Sequence, residues 1–255
     1  MPPVWHGSSI SVILPTYNEK ESIRGCIQGF EELGIIDEIL VVNNNAVEGT
    51  SEEIGKTSAR EIHEPRQGYG WAIQRGLKEA RGEYLIVAEP DGTFLARDVL
   101  KLLAYSDDFN VVYGSRTARM FIWHGANMGV FLRWGNWAVA KMMELLFNTT
   151  NLTDVGCTMR LIRRDAYAQM EPYFTIGGSH FGPEMMLVSV LQGHRVVQIP
   201  VNYLPRVGES SVTGDPQKAF VLGMEMIRLV WLYRIKSWLG VQGLPRTPAG
   251  AASHG

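Results

Sequence analysis

Cysteine is scarce in this sequence, which contains only Cys26 and Cys157. Two cysteines do not make a disulfide framework or a thiolate metal cluster, and their scarcity favours a reducing compartment. Residues 1–9 lack the charged-then-apolar pattern of a signal peptide. No uninterrupted apolar run reaches the length of about 18 residues that indicates a transmembrane helix. We therefore expect a cytoplasmic protein in which any membrane contact is peripheral.

An excess of either charge is also lacking, because the formal net charge is −2 at pH 7. A chain with this balance has no bulk attraction for nucleic acid, so a site for an anionic ligand has to be local. The sequence shows no internal repeat, and no G-x-G-x-x-G motif follows its first apolar run, which disfavours a dehydrogenase. The 255 residues are ample for a buried core.

What the sequence does contain is a regular alternation of short apolar runs with segments of helical spacing. Near-continuous apolar runs indicate strands buried on both faces, and their alternation with helices is typical of a parallel sheet. We predict strands at residues 9–14, 37–42, 60–63, 84–88, 111–116 and 196–203, and a polar turn at 151–160. We predict helices at residues 19–33, 49–58, 68–80, 118–148, 180–192 and 216–239. The predicted class is α/β.

Two acidic residues, Glu89 and Asp91, follow the strand predicted at 84–88. Pro90 between them ends the strand, and Gly92 permits a sharp turn. Because ligands of α/β folds bind outside the carboxyl ends of parallel strands, the acid pair stands where a ligand is expected. Carboxylate oxygens suit Mg²⁺ or Mn²⁺, which keep further positions for water and substrate phosphates. We predict a divalent metal site here, the alternative being a solvated turn.

Several short motifs occur together in the order and spacing of one known family. They are residues 15–19, 41–45, 68–76, 89–91 and 114–116, then Asp154, Arg160, Glu184 and residues 206–210. Over residues 9–213 the chain resembles the family 2 inverting glycosyltransferases of GT-A fold, and is most similar to the polyprenyl- and dolichyl-phosphate sugar synthases. The resemblance implies a Rossmann-like GT-A domain at 7–213, an amphipathic C-terminal helix at 214–241 and a disordered tail at 242–255.

In that family the end of the first strand binds the nucleoside of the donor. The resemblance therefore assigns Pro15, Tyr17 and Glu19 to the nucleotide, with Tyr17 stacking on the base. The second strand of the family normally presents aspartates to the base, whereas residues 43–45 here are asparagines, with Asn44 as the expected contact. Asparagine keeps an acceptor oxygen and adds a donor, but it loses the charge. The base is therefore left open, and the asparagines equally suit a turn.

Gly68 and Gly70 open the helix predicted at 68–80. They allow the backbone to approach a ligand closely, and the N-terminal end of a helix favours an anion. We assign both glycines to donor binding, with close packing of the helix against the sheet as an equal alternative.

Four arginines are candidate phosphate ligands, because a guanidinium fork matches phosphate oxygens. By resemblance, Arg116 and Arg133 face the phosphate of the acceptor, and Arg206 closes over the donor diphosphate together with Ser210. Arg160 is the fourth candidate. Spacing alone does not distinguish any of them from an exposed arginine without a role.

Asp154 has two interpretations. With a hydroxyl acceptor it would be a general base. With a phosphate acceptor no base is needed, because a phosphate monoester with a second pKa near 6 is already mostly dianionic at neutral pH. Asp154 would then orient Arg160 or organise the acceptor pocket, and we prefer this second role.

Two aromatic segments favour a membrane surface. Residues 118–148 contain Trp123, Trp134 and Trp137, and residues 216–239 combine an apolar helix with a basic fringe. Tryptophan favours interfaces that are apolar on one side and wet on the other, and such a helix suits the headgroup region. The alternative is packing on the sheet, on a membrane subunit or on a second copy of the chain.

The resemblance thus implies a metal-dependent enzyme, using Mg²⁺ or Mn²⁺, that transfers a sugar from a nucleotide-diphosphate sugar to a polyprenyl phosphate at the cytoplasmic face of a membrane. Asp91, Asp154, Arg116 and Arg206 are the residues assigned to catalysis. One alternative is a hydroxyl acceptor with Asp154 as base. Another is a nucleotide-sugar-binding partner without catalysis, suggested by Glu89 where the family usually has aspartate. The sugar, the base and the lipid length are left open.

Overall fold

A seven-stranded sheet forms the centre of the computed structural model, which describes residues 5–126, 129–208 and 216–240. The strands are β1 Ile10–Thr16, β2 Glu38–Asn43, β3 Arg60–His63, β4 Tyr84–Val87, β5 Val111–Ser115, β6 Arg160–Arg163 and β7 Val196–Pro200. The helices are α1 Lys20–Glu31, α2 Thr50–Ile54, α3 Tyr69–Glu79, α4 Val99–Ala104, α5 Val130–Phe147, α6 Arg164–Met170, α7 Phe181–Leu191 and α8 Pro216–Leu239. Short 3-10 helices lie at 96–98, 119–121 and 171–173.

The strand order is β3-β2-β1-β4-β6-β5-β7, and every pair is parallel except those made by β6. The predicted mostly parallel sheet is therefore confirmed. Its one antiparallel strand, β6, begins at Arg160, the last residue of the segment predicted as a polar turn, and no strand is predicted over residues 160–163. The sequence does not indicate this strand, because Arg160 and Arg163 at its two ends leave an apolar centre of only two residues.

Helices cover both faces of the sheet, as predicted. On one face α3, α5, α7 and α8 pack on the alternate side chains of the strands, represented by Ile13, Val42 and Val87. On the other face α1 and α4 pack on the remaining side chains, represented by Val12 and Leu14. Strands whose side chains are buried on both faces have no polar alternation, which explains their near-continuous apolar sequence.

The aromatic segment predicted as one helix at 118–148 has a 3-10 turn at 119–121 and is α-helical only from Val130. Before it, Ile122 pairs with Tyr203, and the backbone N–H of Trp123 donates to the Tyr203 carbonyl at 2.9 Å. The chain therefore adds a short extended piece beside the segment that follows β7, and Gly125 turns away from it with a φ of +86°. Tertiary pairing prevails here over helical spacing.

The C-terminal helix α8 packs against α5 and α7. Met226, Leu229, Val230 and Tyr233 on one face are buried in the core, whereas Trp231, Trp238 and Leu239 are among its exposed side chains. One face of α8 thus packs on the protein, as the packing interpretation predicts. A second apolar face of the same helix is exposed. Among the described residues, no helix has the length and hydropathy needed to cross a bilayer.

Candidate active site

The carboxyl ends of β1, β2 and β4 lie at one edge of the sheet and border a cavity of about 590 Å³. Parallel pairing directs these three ends the same way, which is why the loops after them meet. Nine of the predicted site residues line the cavity: Pro15, Tyr17, Glu19, Asn44, Gly68, Glu89, Arg116, Arg160 and Arg206.

The acid pair after β4 faces Arg206. Asp91 is fully buried, and its Oδ1 accepts hydrogen bonds from the Thr93 backbone N–H at 2.9 Å and hydroxyl at 2.6 Å. Glu89 Oε1 accepts from the Thr158 hydroxyl at 2.8 Å. The other oxygen of each acid contacts the same atom, Arg206 Nη2, at 2.6 Å for Asp91 Oδ2 and 3.1 Å for Glu89 Oε2. Each acid thus has one oxygen fixed by a threonine and one directed at a shared cation.

Burial, followed by the neighbouring charge of Asp91, raises the pKa of Glu89 to about 7. Two carboxylate oxygens that converge on a single cationic nitrogen fit a hard divalent ion such as Mg²⁺ or Mn²⁺. Within the described ranges no group of three or more acidic, histidine or cysteine side chains is placed to hold a metal. A metal at the acid pair would therefore take its remaining ligands from water and substrate oxygens.

The loop after β1 is held by Glu19. Its Oε2 accepts hydrogen bonds from the backbone N–H of Tyr17 at 2.7 Å and of Asn18 at 2.9 Å. Its Oε1 is 4.0 Å from Arg206 Nη1, and the residue lines the cavity. Tyr17 is exposed at the cavity edge. Glu19 thus shapes the loop with one oxygen and leaves the other for a ligand.

Asn44 is buried, and its amide is used entirely within the protein. Its nitrogen donates to the carbonyls of Glu64 and Arg66, each at 2.8 Å, and its oxygen accepts from the Gly68 N–H at 2.8 Å. Asn45 occupies the left-handed region with a φ of +59°. The turn interpretation therefore describes these asparagines better than direct contact with the base, and Asn44 positions the wall made by residues 67–68.

Gly68 and Gly70 are required by close packing. A Cβ at Gly68 would lie 2.3 Å from the Gly177 carbonyl oxygen, and one at Gly70 would lie 2.4 Å from that of Ile176. The N–H of Gly70 donates to the Gly177 oxygen at 2.9 Å. The packing alternative thus accounts for both glycines, although Gly68 also borders the cavity. Buried Glu184 fixes this neighbouring segment, since its carboxylate accepts from the Ile176 N–H at 2.9 Å.

Asp154 and Arg116 form a buried, two-pronged ion pair. Arg116 Nε donates to Asp154 Oδ2 at 2.9 Å and Arg116 Nη2 donates to Oδ1 at 3.0 Å. The backbone N–H groups of Arg116 and Gly156 add two more bonds, each at 2.9 Å. Burial opposes ionisation of Asp154, but the Arg116 charge and these bonds outweigh it and hold the pKa of Asp154 below its usual value. Asp154 therefore orients Arg116, and the interpretation that it orients Arg160 is wrong.

Arg160 is buried and contacts carbonyl groups. It donates to the oxygens of Thr158 at 3.1 Å and Gly182 at 3.3 Å, and also to that of Cys157. Arg160 thus borders the cavity while holding the 157–158 segment that carries Thr158. Arg133, on the first turn of α5, does not line the cavity.

The far wall of the cavity is apolar. It is built from α5 and α8, whose side chains here include Leu132, Val139, Phe220, Leu222 and Met226. Asn136 of α5 lies between this wall and the ion pair, because a Cβ at Gly156 would be 2.7 Å from Asn136 Oδ1 and 2.8 Å from Arg116 Nη2. One cavity therefore joins a charged end to a hydrocarbon-like end.

The chain matches the family described as "Glycosyl transferase family 2" over residues 11–170. It belongs to that family. The predicted family and the enzyme class, glycosyltransferase, are thereby confirmed. The match ends before α7, β7 and α8, so the predicted domain limits at 213, 241 and 255 stay predictions.

Relatives of this family 2 chain include hexosyltransferases of Haloferax volcanii. The chain is 27% identical over 214 residues to "Low-salt glycan biosynthesis hexosyltransferase Agl6", covering 82% of this chain and about half, 51%, of the relative. It is 26% identical over 209 residues to a "Dolichyl-phosphate hexose transferase", covering 81% and 87%. Glucosyl-3-phosphoglycerate synthase of Mycobacterium tuberculosis, crystallised with Mn²⁺, UDP and glucosyl-3-phosphoglycerate, superposes with a TM-score of 0.70 at 16% identity over 90% of this chain and 80% of that one. That structural match confirms the GT-A fold.

Three residues of the family 2 site were missed from the sequence: Thr158, Asn136 and Gln198. Gln198 Oε1 accepts from the Thr153 N–H at 2.6 Å and its Nε2 donates to the Asp154 carbonyl at 2.6 Å, so it fixes the turn that carries Asp154. A polar side chain in the middle of a predicted strand was the available signal for Gln198. Ser210, predicted to bind the donor, lies outside the described residues.

Proposed function

We propose that this family 2 glycosyltransferase transfers a hexose from a nucleotide-diphosphate sugar to a polyprenyl phosphate at the cytoplasmic face of a membrane. The observation that carries the proposal is a cavity that joins Glu89, Arg206 and Arg116 to an apolar wall from α5 and α8. A polar donor alone has no use for that wall, whereas an isoprenoid acceptor has a hydrocarbon chain to bury.

The donor fits the charged end. Its nucleoside would lie against Pro15 and Tyr17 at the cavity edge, and its diphosphate against Arg206 and the acid pair. A divalent ion held by Glu89 and Asp91 would neutralise the negative charge that develops on the departing nucleoside diphosphate. Arg206 would add a second positive charge beside the diphosphate. The mycobacterial structure was crystallised with Mn²⁺ and UDP, which supports a divalent ion and a nucleoside diphosphate as the ligands proposed.

The acceptor fits Arg116. The guanidinium is fixed by Asp154 and borders the cavity, so it can bind the acceptor phosphate and aim one of its oxygens at the anomeric carbon. That oxygen would form the new C–O bond on the face opposite the leaving diphosphate, whose own C–O bond breaks, and the configuration inverts. No proton has to be removed, because the acceptor is already a dianion.

A hydroxyl acceptor is less well supported. It would need Asp154 to accept a proton, yet Asp154 receives four hydrogen bonds and its pKa is held below the usual value. A carboxylate in this state is a poor proton acceptor at neutral pH.

A membrane surface is the fitting source of the acceptor. Trp134 and Trp137 on α5 and Trp231 and Trp238 on α8 are exposed on the same two helices that build the apolar wall. Tryptophan is typical of the headgroup region, and a peripheral contact there would let the lipid enter the cavity without leaving the bilayer entirely.

A donor screen tests the proposal. Purified protein is assayed with UDP- and GDP-sugars, Mg²⁺ or Mn²⁺, and either a polyprenyl phosphate or a dephosphorylated polyprenol of the same length. We expect transfer to the phosphate only. Transfer to the polyprenol or to a glycan hydroxyl, with none to the phosphate, would refute the proposed acceptor.

A further inference from the structure

One cation already lies between the two acids, and it belongs to the protein itself. Arg206 Nη2 is 2.6 Å from Asp91 Oδ2 and 3.1 Å from Glu89 Oε2. The other oxygens of the two acids accept hydrogen bonds from Thr93 and Thr158. The oxygens that face Arg206 are therefore the ones a metal ion would use.

A guanidinium nitrogen and a divalent ion cannot occupy this place together. Mg²⁺ binds carboxylate oxygens at about 2.0–2.1 Å, well inside the present nitrogen–oxygen distances, and it carries the same sign of charge as Arg206. Binding of a metal to both acids must therefore remove the guanidinium from them.

The backbone on either side of Arg206 is tied to the acid loop. The Leu204 N–H donates to the Thr93 carbonyl at 2.8 Å, and the Val207 N–H donates to the Asp91 carbonyl at 2.9 Å. Because both neighbours are anchored, only the side chain of Arg206 is free to relocate. It already borders the cavity and is about one-fifth exposed, at 21%, so it has space to enter.

We propose that Arg206 is the internal counter-ion of the metal-free acid pair, and that the metal displaces it into the cavity to bind the donor diphosphate. The proposal rests on the metal role given above. This exchange makes the binding of metal and of donor cooperative. The metal releases Arg206 so that it can bind the diphosphate, and the diphosphate stabilises Arg206 in its position away from the acids. The acids remain neutralised in both states, once by the protein and once by the metal.

Metal binding without donor gives the first test. Mn²⁺ affinity is measured by calorimetry on the wild type, on Arg206→Gln, and on Arg195→Gln, which removes the same charge from an exposed arginine outside the cavity. Arg206→Gln removes the competitor, so we expect its Mn²⁺ to bind about tenfold more tightly than in the wild type, while Arg195→Gln stays unchanged. The increase in UDP affinity that saturating Mn²⁺ produces should be smaller in Arg206→Gln.

Arginine side-chain NMR distinguishes displacement from a general loss of positive charge. The Nε–Cζ signal of Arg206, assigned by its absence from Arg206→Gln, should move when Mg²⁺ is added to the wild type without nucleotide. Binding of Mg²⁺ with this signal unchanged would overturn the proposal, as would an unchanged Mn²⁺ affinity in Arg206→Gln. A wild type that binds no divalent ion even with UDP present contradicts the metal assignment itself, and the exchange with it.

Discussion

Asp154→Asn is the substitution that best separates orientation from proton transfer. Asparagine keeps the size of the side chain and removes its charge, so Arg116 loses its buried partner. If Asp154 acts by aiming Arg116, the damage should appear in acceptor binding and should be shared with Arg116→Gln. If Asp154 were a base, the damage should appear in the chemical step instead.

The geometry sets the magnitude. Two charge-assisted bonds, at 2.9 and 3.0 Å, join the side chains of Arg116 and Asp154, and both groups are largely or fully buried. Breaking one partner of such a pair costs about 3–5 kcal/mol, because the other charge stays buried and unpaired. We expect kcat/KM for polyprenyl phosphate to fall by about 10²–10³-fold, with most of the fall in KM.

The assay is initial-rate kinetics with polyprenyl phosphate varied at saturating donor, on Asp154→Asn, Arg116→Gln and the double variant. Asp107→Asn, at an exposed surface acid, is the matched control and should behave as the wild type. The double variant should be about as impaired as either single variant, because the two residues act as one unit. Circular dichroism and a thermal melt verify that each variant is folded.

The contrary result is specific. Losses that multiply in the double variant, or a fall in kcat with acceptor KM unchanged, would show that Asp154 acts independently of Arg116. Recovery of Asp154→Asn by a more alkaline buffer would identify a missing base and refute the reasoning.

Three further predictions concern the acids, a glycine and pH. Asp91→Asn should lower the transfer rate at least about 10³-fold and weaken Mn²⁺ binding in calorimetry, whereas Asp107→Asn should change neither. Gly70→Ala should lower the free energy of unfolding by about 1–3 kcal/mol in urea titration, because its Cβ would meet a backbone carbonyl at 2.4 Å, while Gly25→Ala, with nothing within 4 Å, should not destabilise. Burial opposes ionisation of Glu38, but its hydrogen bonds outweigh burial and hold its pKa below 4.5. The ionised carboxylate therefore stabilises the folded protein above pH 4.5, and this contribution is lost as the pH falls further. Glu38→Gln should therefore flatten the acid limb of a stability–pH curve, and an unaltered limb would contradict this.

The parallel part of the fold could be predicted because strands that are buried on both faces have a nearly continuous apolar sequence. The strand β4 and the centres of β1 and β2 are nearly all apolar, so local composition and tertiary environment agree. The strand β6 could not be predicted, because the environment of Arg160 depends on carbonyls of the 157–158 segment and of α7, all distant from a local pattern. The helix α4 was missed because six residues are too few for a clear period.

The site divides in a similar way. Glu89 and Asp91 could be predicted as a pair because two acids after an apolar run are a local signal, and their metal role stays a prediction. Asp154 was assigned to Arg160, but its partner is Arg116, which lies 38 residues earlier in the chain. Sequence spacing does not reveal which of two arginines a carboxylate contacts in the folded protein. The same limit applies to Asn44, whose residue type suits base recognition and whose hydrogen bonds, all internal, only the folded chain reveals.

The reversed direction of β6 has a consequence for how this chain can vary. Because β6 is antiparallel to β4 and β5, its first residue lies at the edge of the sheet where those two strands end. The turn from Asp154 to Thr158 therefore borders the cavity just before β6 begins, whereas the loops of the parallel strands follow their strands. One added residue between Thr158 and Arg160 would shift β6 by one residue and exchange the side chains that pack on the two faces of the sheet. An addition near residue 150, at the far end of the same connection, would leave the pairing untouched. Natural variants of this enzyme should therefore differ in length before Asp154 and hold a constant spacing from there to β6.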